Sequence, residues 1–185
     1  MATTGKQSVQ AAQKNSHKEV IDALIEAMCA RDVEALVDLW EPGGVEEVSM
    51  PPGEIRAPEG IREFFGDLFA ACPDHRVELL ESVGQGNQVA ILMRASGTFS
   101  GGSFDGLLPT DREYRDVLEF AILDIANGRI RRSRSLFDRM DFGRQIGFLP
   151  PEGAVAETGM KRLFNLATRF RRARRWRQRA WIFPP

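Results

Sequence analysis

The hydrophobic period of this chain changes once, and that change limits the folds open to it. As far as Phe69, apolar residues return every three or four positions, as on one face of a helix. From His75 to Phe137 they alternate or run in short apolar blocks, as in strands. Helices that come before strands, rather than between them, predict an α+β fold with helices packed on one face of a curved, mostly antiparallel sheet.

Local signals place the elements. Ser16 and Glu19 form a capping box before the stripe Val20, Ile21, Leu24, Ile25 and Met28, which reads as the first helix. Asp32 suits the cap of a short second helix through Leu36 and Trp40, and a strand is expected near Val45–Met50. After the break at Pro51, Pro52 and Gly53, Pro58 suits the first turn of a third helix carrying Ile61, Phe64, Phe65, Leu68 and Phe69. Four strands follow, at Val77–Val83, Val89–Thr98, Glu113–Ile125 and Ile130–Phe137, with Asn127-Gly128 as a hairpin turn. A last short helix, Arg139–Ile146, would be capped by Asp138. The expected organisation is a disordered tail over 1–15, a domain over 16–151, a linker over 152–159 and a basic amphipathic helix over 160–185.

Charge separates the last of these from the rest. Of 25 basic and 26 acidic residues, nine basic and no acidic ones lie in 161–185, leaving 16 basic against 26 acidic in the first 160. An apolar stripe of Met160, Leu163, Phe164, Ala167, Phe170 and Ala173 runs among the arginines. Arg171, Arg172, Arg174, Arg175, Trp176 and Trp181 are the expected contacts to an anionic membrane surface or another polyanion, with nucleic acid the weaker option for lack of a recognition module. Docking on the acidic body or on a second copy is the other outlet for that charge. Cys29 and Cys72 have no metal-ligand or disulfide-framework spacing, so no metal site is expected. No signal peptide or spanning segment is recognisable, which reads as a cytoplasmic protein, peripheral at a membrane if the tail binds one.

Five phrases occur in order: Val33–Trp40, Pro73–Val77, Ser96–Gly101, Asn127–Ile130, and Leu136-Phe137-Asp138 leading to Gln145-Ile146-Gly147. With the order of elements, they resemble the SnoaL-like polyketide cyclases and limonene-epoxide-hydrolase relatives of the nuclear-transport-factor-2-like superfamily, over about residues 16–150. The resemblance implies a cone, a curved sheet closed by helices around one apolar pocket, and a homodimer. It also implies acids that are missing here. The general-base aspartate of the cyclases would fall at Ser135 and its accompanying histidine near Ala121. The Arg-x-Asp of the epoxide hydrolases reads Arg94-Ala95-Ser96, so epoxide hydrolysis is not expected.

Strand alternation groups the remaining candidates. Leu92, Arg94 and Ser96 share one face, as do Glu119 and Ala121, and as do Arg131, Ser133, Ser135 and Phe137. Taking these faces as the pocket, Glu119 is the candidate acid or base, with a salt bridge to Arg94 or Arg131 as the structural alternative. Arg94 would stabilise an oxyanion, and Asp138 is either the helix cap or a further catalytic group. Trp40, Leu92, Ser96, Ala121, Ser135 and Phe137 would contact the ligand, while His75 reads as structural or exposed. With no phosphate-binding loop or dinucleotide fingerprint, no cofactor is expected. The functional expectation is a pocket for a small apolar organic molecule, with cofactor-free isomerase or cyclase chemistry next to a carbonyl. The alternative is a non-enzymatic interaction protein working through its arginine-rich helix.

Overall fold

A computed structural model describes residues 17–49 and 52–180, with side chains described as far as Arg171 at that end. The first helix, α1, covers 17–30 and buries Val20, Ile21, Leu24, Ala27 and Met28 along one face. Ser16 of the expected capping box, and the tail before it, lie outside the described residues. Helix α2 is Val33–Asp38, with the Asp32 side chain accepting the N–H of Ala35 at 3.0 Å. Then come β1 (Trp40–Ser49), β2 (Pro52–Arg56) and α3 (Glu59–Ala71), which buries Ile61, Phe65, Phe69 and Ala71. Strands β3 (Arg76–Gln85), β4 (Gln88–Phe99), β5 (Arg112–Ala126) and β6 (Arg129–Phe137) follow, and then α4 (Arg139–Gln145) and α5 (Val155–Ala180).

The six strands form one curved, unclosed sheet in the order β2-β1-β6-β5-β4-β3. All neighbours are antiparallel except β1 and β6, which run parallel with Glu46 opposite Ser133. The sheet has one strand more than the five expected: the strand expected near Val45–Met50 is β1, and β2 is the addition. Trp40 begins β1 rather than ending α2, and Pro52–Arg56 forms a strand where the Pro-Pro-Gly run reads as a break. As an edge strand, β2 has one side on which a proline's missing N–H costs no ladder bond.

Burial along β4 alternates strictly, with Val89, Ile91, Met93, Ala95, Gly97 and Phe99 inside. The expected face is therefore inverted on this strand: Leu92, Arg94 and Ser96 point outward. The inward set is wholly apolar, and the Arg94 guanidinium stays at the surface, where Glu78 at 2.8 Å and Asp116 at 3.5 Å pair with it.

Strand β5 carries a bulge: Ala95 faces Val117 but Gly97 faces Tyr114, so Arg115 and Asp116 together oppose Ser96. Asp116 takes a φ of 55° and donates its N–H to Ser96 Oγ. Tyr114 and Val117 consequently both point inward, three residues apart. A second irregularity, between Asp124 and Ile125, pairs Asp124 with Arg132 and Ile125 with Ile130, leaving Arg131 outside on Asp124 at 2.6 Å. Arg131 is thus removed from the pocket face expected for it.

Helix α5 begins at Val155 rather than Met160, because Glu157 accepts the N–H of Gly153 at 2.6 Å and closes the first turn. Glu157 also lies 3.8 Å from Arg144 of α4. Beyond that anchor Met160, Leu163, Phe164 and Phe170 are exposed, so the apolar stripe among the described side chains does not pack on the body. Among the described residues no helix is long and apolar enough to cross a membrane.

Candidate functional site

The inward faces of β4, β5 and β6 meet α1 and α3 around a cavity of about 100 Å³. Its walls are apolar: Leu24 and Met28 come from α1, Phe64 and Phe65 from α3, Ile91 and Met93 from β4. Phe137 and Phe142 close one side, edge to face with 5.5 Å between ring centroids.

Two carboxyls break this lining. Glu119 on β5 faces the cavity with the part of its surface that protein does not cover. Burial pushes its carboxyl up to about 7, and the neighbouring charge of Glu46 adds to the rise. It receives no hydrogen-bond donor among the described residues. Glu46 enters from β1 and is 6% exposed. Burial raises it to about 7 as well, against the opposing effect of hydrogen bonds from Ser135 and Ser133. Ser135 Oγ donates to Glu46 Oε1 at 2.6 Å. No lysine or arginine is among the described residues that line the cavity. At neutral pH the pair can therefore hold about one proton between two acids, which suits it to both giving and taking one.

A second polar group sits where α3 meets β5. His75 is 3% exposed, and its Nδ1 lies 2.7 Å from the Tyr114 hydroxyl, which is also hydrogen-bonded to Cys72. Burial lowers His75 to about 4, so its ring is neutral at pH 7, and burial pushes the Cys72 thiol up to about 11. A thiol is a weak acceptor and an imidazole nitrogen a strong one, so the hydroxyl hydrogen goes to Nδ1 and the ring hydrogen to Nε2. That Nε2, like Trp40 Nε1, is buried without a partner among the described residues.

Of the residues expected at the site, Glu119, Trp40, Ala121, Ser135 and Phe137 line the cavity. Arg94, Leu92 and Ser96 do not, for the reason of strand phase given above. Asp138 also lies away from it: its Oδ1 accepts the N–H groups of Met140 and Asp141, so the residue is the N-cap of α4. Ala121 and Ser135 are directly cross-strand partners. Side chains of Arg172, Arg174, Arg175 and Trp176, and all of Trp181, lie outside the described residues. Arg171 is exposed. No cluster of three or more metal-ligating side chains occurs among the described residues.

Two cavity residues escaped the sequence reading. His75 lies between two charged residues and looks like a surface loop. Glu46, beside Glu47, looks like half of a solvated pair. The signal that could have found Glu46 is Ser135 itself, since a serine at the expected acid position leaves room for a carboxyl from the next strand.

The family model described as SnoaL-like polyketide cyclase matches residues 18–146. Among solved structures, IdmH of Streptomyces antibioticus, described as a candidate polyketide cyclase, is 27% identical with a TM-score of 0.60, covering 70% of this chain and 97% of its own. AclR of Streptomyces galilaeus, described as a candidate hydroxylase, is 17% identical with a TM-score of 0.65, over 83% of this chain and 95% of its own. TsrD of Streptomyces laurentii is 21% identical with a TM-score of 0.65, over 73% and 97%. A search of curated proteins returns no match.

Proposed function

The chain belongs to the SnoaL-like polyketide cyclase family, and from that premise we propose that it binds a small, largely apolar organic molecule and rearranges it by moving a proton next to a carbonyl. The observation that carries this reading is the Glu46–Glu119 pair facing one otherwise apolar cavity. Glu119 is the proton carrier: no donor ties its carboxyl to the ionised form, and a value near 7 suits both halves of a proton shuttle. Glu46, held by Ser135 and Ser133, keeps negative charge in place and sustains the basicity of Glu119. Its position on β1, hydrogen-bonded to the serine that stands where the cyclases carry an aspartate, supports a relocated rather than a lost acid. The likeness to IdmH supports a ring-forming step as the form of the rearrangement. Arg94, outside the cavity, takes no part.

The test is proton exchange at carbon. A panel of aryl ketones is incubated with the protein in deuterated water, and incorporation beside the carbonyl is followed by NMR. Glu119→Gln is expected to slow exchange of an accepted ketone by roughly 10²-fold or more. Unchanged exchange in the variant overturns the assignment.

The exposed apolar stripe of α5, set among arginines and undocked, favours a second reading in which this helix lies on an anionic membrane surface. Co-sedimentation with anionic vesicles that disappears at high salt supports it, and salt-insensitive or absent binding overturns it. The bare outer face around Leu118, Phe120 and Leu136 supports the expected homodimer. Sedimentation equilibrium decides whether one forms.

A further inference from the structure

The cavity has an unbalanced charge inventory. Two carboxyls enter it, and among its described lining residues there is no lysine or arginine. The one histidine in the lining, His75, is occupied at Nδ1 by Tyr114. Three arginines of the strands nearest the cavity are engaged elsewhere: Arg94 with Glu78, Arg131 with Asp124, Arg132 with Glu47. Ionised carboxylates held away from water are costly unless a cation or several donors meet them. Ser135 and Ser133 cover part of Glu46, and nothing among the described residues covers Glu119.

The walls suit a positive ligand too. Trp40, Phe64, Phe65, Phe137 and Phe142 surround the same space, and aromatic faces attract an ammonium through their negative quadrupole while taking up the apolar remainder of a molecule. A neutral ligand would leave one ionised carboxyl without compensation. An anionic ligand would add a third negative group to the pair.

We infer that the molecule taken by this cavity carries a protonated amine on an apolar, ring-sized frame, with the ammonium set between Glu46 and Glu119 against the aromatic walls. The inference rests on the cavity being the ligand site, as proposed above, and narrows its substrate class to amine-bearing compounds. It also completes the division of labour between the acids. An ammonium beside Glu46 supplies the missing positive charge and releases the proton the pair otherwise shares, leaving Glu119 ionised and ready to accept one from carbon.

The experiment compares two probes of nearly equal shape, 1-naphthylmethylamine and 1-naphthylmethanol, with the full-length protein. Calorimetry near pH 7 is run in two buffers of different protonation enthalpy. The expected result is that the amine binds at least about tenfold more tightly, as one charge-assisted contact requires, and that its binding releases protons to the buffer. Glu46→Gln and Glu119→Gln should each reduce that preference while alcohol binding persists, which also establishes that the variants are folded. If the alcohol binds as tightly as the amine, the amine inference is overturned and the cavity remains a ligand site. If neither probe binds, both readings fall together.

Discussion

Ser135 on β6 donates a 2.6 Å hydrogen bond to Glu46 on β1, so a hydroxyl at the last-strand position presents a carboxyl rooted on the neighbouring strand. Ser133, two residues earlier, adds a second hydroxyl to the same carboxyl. Acid and support are thus divided between two strands that run parallel.

The division makes the two carboxyls separable by titration. In Glu46→Gln, the repulsion acting on Glu119 disappears, so the Glu119 carboxyl should titrate below about 7 yet stay above the ordinary glutamate range, because burial remains its larger cause. Ser135→Ala should move Glu46 the other way, upward, by removing a donor to its ionised form. Carbon-13 NMR of labelled glutamates checks both, and a Glu119 value unmoved in Glu46→Gln would mean the two are not coupled.

Stability should depend on pH with opposing signs inside one cavity. Glu46 and Glu119 are raised from 4.5 to about 7, so each contribution is fully present below pH 4.5 and is lost as pH rises through 7. Each shift corresponds to about 3 kcal/mol. His75 is lowered from 6.5 to about 4, so its contribution is fully present above 6.5 and lost as pH falls through 4. Relative to wild type, the Glu46→Gln, Glu119→Gln double variant should therefore lose the decline in stability between pH 4.5 and 7. Urea unfolding at half-unit pH steps measures the difference. Parallel curves would contradict the raised values.

Arg94→Ala should change little. Its side chain is 39% exposed and its partners Glu78 and Asp116 are more exposed still, so solvent screens the pairs and they add little stability. Naphthylmethanol binding should match wild type. A large loss of binding in this variant would place the guanidinium at the ligand, against the strand phase observed.

Tyr114→Phe should be costly although it keeps the ring. The hydroxyl serves both His75 Nδ1 and Cys72, and its removal leaves a buried imidazole nitrogen unmet, for about 1–3 kcal/mol of stability. Denaturant titration gives the loss, and a neutral result would mean water replaces the hydroxyl.

The architecture was legible in the sequence because period and punctuation agree with it. Helical stripes end at Phe69, alternation begins after His75, and Asn127-Gly128 turns the last hairpin where expected. Glu119 was legible because alternation puts it with Ala121 and Leu123 on the buried face of β5. Arg94 was misplaced because alternation reports the period of a strand and not its phase, and an arginine within an apolar run looks like an interior charge until its neighbours across the sheet are known. Arg131 was displaced by a register irregularity, which inserts a residue without any composition signal. Glu46 and His75 depend on contacts between distant segments, namely β1 with β6 and the end of α3 with β5, and no local pattern encodes those.

The bulge at Arg115 and Asp116 lets one strand be read in two frames. On one side of it the even-numbered Tyr114 points inward; on the other the odd-numbered Val117, Glu119, Ala121 and Leu123 do. With both residues kept in plain alternation, Tyr114 and Glu119 would fall on opposite faces of β5, whereas deleting one of the two would leave an unbulged strand in which both still face the interior. The tyrosine–histidine contact and the acidic pair are held in one chamber by a frameshift in the backbone, a dependence that substitution scanning of the side chains alone would not expose.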